Sequence, residues 1–263
     1  MQVFQLFTKA LQHWIARGLS EPSAALAYFM PFALVPVLAV SIQITSIVVS
    51  KEAFTAILQT WGEMLSVELY QLLTTAVAGT GLSSSLYGIP FGGYLFLIAM
   101  IALTFAHLSA GLRKVWINPV RGWQQYLYDL VRAVLFFICL QIFFIAVVLG
   151  ETIFAQMATS WFVEIVSRAY LFLLTVILLT VGYRVLVPRS PSYLACLVGS
   201  LAVAALFVTL QTIIGWWLAI SPVSNVYGAA NVLLVLLVWV YITACVIYYG
   251  AAIAWVFDEY QAR

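Results

Sequence analysis

In a chain of 263 residues, 65% hydrophobic and 8% charged, too few side chains carry charge for an ordinary soluble domain, where about a quarter do. The net charge of +2 is spread without any Lys/Arg block, which argues against a nucleic-acid partner. The apolar stretches have the length of helices and lack the ten-residue alternation of a transmembrane barrel, so the expected class is all-α and membrane-embedded, one integral membrane domain over residues 1–263.

Residues 1–20 place Val3, Phe4, Phe7, Leu11, Trp14 and Ile15 on one helical face, an amphipathic helix suited either to the bilayer interface or to packing on neighbouring loops. Ser20, Glu21 and Pro22 then signal a fresh helix start. The first span, about 24–49, contains Pro31, Pro36 and Gln43; each proline removes an intrahelical hydrogen bond, which predicts a kinked or broken segment. Residues 50–88 carry apolar side chains at helical spacing among Lys51, Glu52, Glu63 and Glu68, as interfacial amphipathic helices would. A further span over 67–82 is short and rich in Thr and Gly.

The second span is expected at 91–110, with His107 near its end. Arg113, Lys114 and Arg121 follow beside Trp116 and Trp123, and Arg132 opens the third span, 131–149. This basic cluster suits retention on the cytoplasmic side, or contact with anionic lipid headgroups. The stretch 151–168 reads as a short interfacial helix, and the fourth span as 169–186. The fifth and sixth, 193–218 and 226–257, form a hairpin around Ser221, Pro222, Ser224 and Asn225. Six spans with both termini cytoplasmic put nine of the Lys and Arg residues inside and only Lys51 and Arg168 outside, a strong positive-inside bias.

Central polar side chains are few: Gln43, Gln141, Gln211, Thr212 and Asn231. Each can bond across helices or line a solute path. Gly228, after Tyr227, could expose backbone to a ligand. Small residues at Ala195, Gly199, Ala202, Ser200, Ala204, Gly250 and Ala254 predict close helix packing. His13 and His107 are isolated and the carboxylates scattered, so neither a metal set nor an acid–base pair is expected, and no cofactor. Cys139, Cys196 and Cys245 read as small buried hydrophobes. No cleaved signal peptide is expected, because the first long apolar run begins only near Ala24.

Four segments resemble the YihY family of bacterial inner-membrane proteins, also labelled BrkB-like and historically ribonuclease BN. They are AALAYFMPFALVPVLAV (24–40), SAGLRKVW (109–116), YRVLVPRSPSYLACLVGSLAVAALF (183–207) and SNVYGAANVLLVLLVWVYITACVIYYGAAIAW (224–255). The resemblance implies a six-span protein of the cytoplasmic membrane with no settled activity. The family pattern has Asn where Arg113 stands and Glu where Ala252 stands, while Tyr227, Gly228, Gly250 and Ala251 match it. Taken with the residues, it leads to a non-enzymatic, transporter-like or lipid-handling protein with membrane lipids as partners and a lipid or small amphipathic substrate. A structural or assembly protein is the alternative, and a membrane hydrolase or ribonuclease comes third.

Overall fold

The computed structural model describes residues 3–48, 91–116, 122–155, 157, 161–187, 191–220 and 229–261. Among them, all regular structure is helical: α1 (Val3–Ala16), α2 (Ser20–Val48), α3 (Phe91–Val115), α4 (Gly122–Ala155), α5 (Trp161–Leu186), α6 (Tyr193–Ile220) and α7 (Ala229–Gln261). The expected interfacial region 50–88 and the hairpin turn lie outside the described residues.

Five of these helices, α3 to α7, are long and apolar enough to cross a membrane. At 29 residues and 1.5 Å of rise per residue, α2 has the length for another crossing. The architecture is thus an all-α, polytopic bundle. Two expectations need correction. Residues 151–168 do not form a separate interfacial helix, because α4 runs on to Ala155 and α5 begins at Trp161. Of the kinked or broken first span, only the break is overturned, since α2 is helical through both Pro31 and Pro36. Neighbouring helices, α3 and α7 foremost, pack around it. Such support lets proline persist within a membrane helix.

The last helix is the hub. α7 packs on α6, α2, α1 and α3, while α4 and α5 extend the bundle from α3 and α6. Small residues bring α6 and α7 together, as the spacing predicts. Ala195, Ala251 and Ala254 are fully buried. A Cβ added at Gly199 would lie 2.5 Å from the Gly250 carbonyl oxygen, so the two backbones already touch. Tyr183 of α5 closes over this crossing and donates its hydroxyl to the Ile247 carbonyl at 2.7 Å. A parallel contact joins α3 to α7, where the Tyr248 ring sits against Gly111 and its hydroxyl reaches the His107 carbonyl at 3.3 Å.

Two polar devices seat the helix ends. α1 stops in a Schellman turn: Gly18 adopts φ 56°, its N–H bonds the Ile15 carbonyl, and the Leu19 N–H bonds the Trp14 carbonyl. α6 starts with Ser192, whose hydroxyl accepts from the Ala195 N–H at 3.3 Å. Asp258 of α7 accepts the Ser192 N–H at 3.1 Å, placing a carboxylate where the α6 dipole favours one.

Because the α6–α7 contact is backbone against backbone, Gly199→Ala should destabilise the protein by about 2 kcal/mol, the scale of core overpacking. Equilibrium unfolding in mixed micelles checks this, with Ala202→Ser, half-buried on the same helix, changing little by comparison.

Candidate functional site

Charge gathers at the end of the bundle where α1 turns into α2. Arg113, near the end of α3, is 7% exposed and its guanidinium pairs with Asp129 of α4, itself 6% exposed. Arg132, one turn further along α4, approaches the other Asp129 oxygen at 3.7 Å. A carboxylate so deeply buried is tolerable only with such partners. Beside them the exposed Lys114 donates to the Gly18 carbonyl at 3.2 Å and to Glu21 at 3.0 Å. An exposed pair of this kind contributes little energy but fixes the α1–α2 corner against α3.

The basic cluster expected to serve cytoplasmic retention or headgroup contact is distributed as follows. Arg113 turns inward to Asp129, Lys114 is engaged by the corner, Arg132 is partly exposed, and Arg121 lies outside the described residues. Asp129 was legible only as one scattered acid, because its partner lies across a loop.

His13 ties α1 to the same end. Its ring stacks on Trp255 of α7, centroids 3.8 Å apart and planes 10° from parallel. Its Nε2 lies 3.0 Å from the Val115 carbonyl, so that nitrogen must carry the proton and donate. Burial holds the imidazole below its ordinary value; Arg17 pushes the same way, while the Val115 bond and Glu259 oppose. A pocket of about 400 Å³ opens alongside, lined by Lys9, Gln12, His13, Trp255, Glu259 and Tyr260.

The bundle interior holds Gln141. This α4 side chain is 6% exposed, and among the described residues neither its Nε2 nor its Oε1 has a hydrogen-bond partner. The stripe that carries it, with Ala133, Phe136 and Val148, faces inward, and Phe136 meets Phe105 edge-on at 5.5 Å. The other sequence-nominated polar groups do not join it. Gln211 and Thr212 sit on an exposed face of α6, where the Thr212 hydroxyl bonds back to the Val208 carbonyl at 3.1 Å. Gln43 and Asn231 lie on α2 and α7, with side chains outside the described set, as is that of Pro36. Pro31 is half-buried. Tyr227 and Gly228 fall outside the described residues. Among those described, no three His, Cys, Asp or Glu side chains come together.

Arg113→Met should cost about 3 kcal/mol, because Asp129 keeps only the more distant Arg132; adding Asp129→Leu should recover most of it. Mixed-micelle unfolding of the single and double variants measures the coupling. In a ¹³C NMR titration, His13 should show a midpoint below 6.5. The sign follows from linkage: with the folded value depressed, the unfolded chain takes up protons first. The docking of α1 should therefore be fully stable above pH 6.5 and weaken as pH falls from there towards the folded midpoint.

Comparison with known proteins gives a consistent result. Residues 10–263 match the family described as Virulence factor BrkB. A relative from Alcanivorax borkumensis, described as a UPF0761 membrane protein, is 27% identical over 271 aligned positions covering 94% of this chain. The chain spans 59% of that relative's length. No solved structure matches. With nearly its whole length matched and a bundle of apolar helices to go with it, the chain belongs to the BrkB/YihY (UPF0761) family of multi-pass inner-membrane proteins.

Proposed function

We propose that this chain is a non-enzymatic, transporter-like or lipid-handling membrane protein, with six spans and both termini in the cytoplasm. The orientation rests on nine Lys and Arg residues against two. The observation that carries the functional reading is the unmatched Gln141 amide. An amide deprived of hydrogen bonds in an apolar interior costs several kcal/mol on transfer scales (about 4–8), so a polar species completing its bonds is strongly favoured.

Depth supplies the second half of the argument. Asp129 and Glu21 are held at the same end through Arg113 and Lys114. Gln141 lies about 18 Å along α4 from Asp129 at 1.5 Å per residue. By the same rise, Phe32 lies about 16 Å along α2 from Glu21, and Pro36 deprives the Phe32 carbonyl of its in-helix donor. α2 packs on α4, and by this count the Gln141 amide and the Phe32 carbonyl lie at similar depth. Water or a polar headgroup passing between them would satisfy both.

A structural or assembly role is the second reading, favoured by the backbone contact of Gly199 with Gly250, which suits a rigid scaffold. Hydrolysis is disfavoured because Asp129, the buried carboxylate among the described residues, is held by Arg113. Reconstitution separates these readings. Fluorescent phospholipid in proteoliposomes should cross the bilayer faster with the wild-type protein than in protein-free vesicles. Gln141→Leu should lose that gain while unfolding no more easily, since it removes a buried polar group. Equal rates with and without wild-type protein would leave the scaffold reading standing in place of lipid transfer.

A further inference from the structure

We infer that α1 is a half-immersed helix whose outward apolar edge, Leu11 and Ile15, docks in the headgroup–acyl boundary of the bilayer leaflet at that end of the bundle. At 14 residues α1 is too short to cross a membrane. Successive side chains turn by about 100°, and their burial divides the helix into three sectors. Leu6 and Ala10 are buried and Phe7 and Trp14 half-buried against the bundle. Lys9, Gln12 and Ala16 are exposed on the flank that borders the pocket. Between these lie Leu11, 48% exposed, and Ile15, 63% exposed. A helix lying only on protein needs one apolar sector, and one free in water needs none facing outward. Here the apolar arc is wider than its packed part: it runs on past Phe7 to Leu11 and Ile15, which protein leaves uncovered, as fits a helix bounded by protein, lipid and water.

The direction of that uncovered edge is fixed rather than free. The His13 stack on Trp255, its bond to Val115, and the Gly18 turn gripped by Lys114 hold α1 in one rotation about its axis. Exposed apolar side chains recur on the next helix: three turn residues later the chain enters α2, where Tyr28 and Phe32 are exposed. Charge fits as well. Lys9 and Arg17 lie in or beside α1, where phosphate headgroups of an anionic leaflet would meet them. The inference needs only that the bundle is membrane-embedded, and it stands whether or not anything is transported.

Spin labels at Leu11→Cys, Ile15→Cys, Gln12→Cys and Ala16→Cys test it, in vesicles of phosphatidylethanolamine and phosphatidylglycerol. The three native cysteines, recorded on the unsubstituted protein, give a constant background. All four sites are exposed, so labelling leaves the packed face intact. The ratio of oxygen to nickel-chelate collision should be at least about threefold higher at 11 and 15 than at 12 and 16, as for an interfacial helix. Equal ratios at the four sites would put the Leu11 edge in water and overturn the inference. Exclusion of both reagents from 11 and 15 would also overturn it, because protein, either a second copy or another chain, would then cover that edge.

Discussion

The bundle depends on one close approach. Where α6 crosses α7, the Gly199 and Gly250 backbones touch, with the fully buried Ala195 and Ala254 one turn away. In lipid there is no strong hydrophobic drive to bring helices together, so dispersion between closely fitted surfaces supplies much of the association. Any side chain at the crossing would push the axes apart. Because α7 also carries α1, α2 and α3, such a shift would be felt at Tyr183, at Tyr248 and at the His13–Trp255 stack. The hairpin α6–α7 is therefore the frame on which the other helices are positioned.

Around that frame the polar groups divide into two kinds. Several at the α1–α2 end are matched: Arg113 with Asp129, Lys114 with Glu21 and Gly18, His13 with Val115, and Ser192 with Asp258. They set helix depth and rotation. Gln141 differs, being buried in the bundle with neither amide atom matched among the described residues. Natural folds rarely leave such a group unmet, since each missing bond raises the energy of the folded state. A polar interior beside a proline-bearing helix suits the handling of something that itself brings hydrogen bonds, which links packing to the proposed function.

Much of the fold was legible because membrane helices impose a simple rule: enough consecutive apolar residues to cross. The spacing of Gly199, Gly250 and their neighbouring alanines also announced the α6–α7 contact. Helix ends were harder to read. α4 extends beyond its apolar core to Gly122 and Ala155, since polar residues at a helix end cost little once they reach the interface. The Arg113–Asp129 pair was hidden because a charge count treats each residue singly, whereas pairing depends on how α3 and α4 meet. α1 shows a similar limit. One amphipathic face was visible, but only packing divides its apolar residues into those that meet protein, such as Trp14, and those left outside, Leu11 and Ile15. Among the central polar residues, sequence alone could not separate the buried Gln141 from the exposed Gln211.

The most direct measurement is an electron cryomicroscopy structure in a lipid nanodisc, with density resolved around Gln141 and the Phe32 carbonyl. A transporter-like interior predicts ordered non-protein density, water or a lipid headgroup, within hydrogen-bonding distance of the Gln141 amide. A dry site in every state captured, with the amide bonded to a protein group, would contradict that function and leave Gln141 as a packing contact between helices.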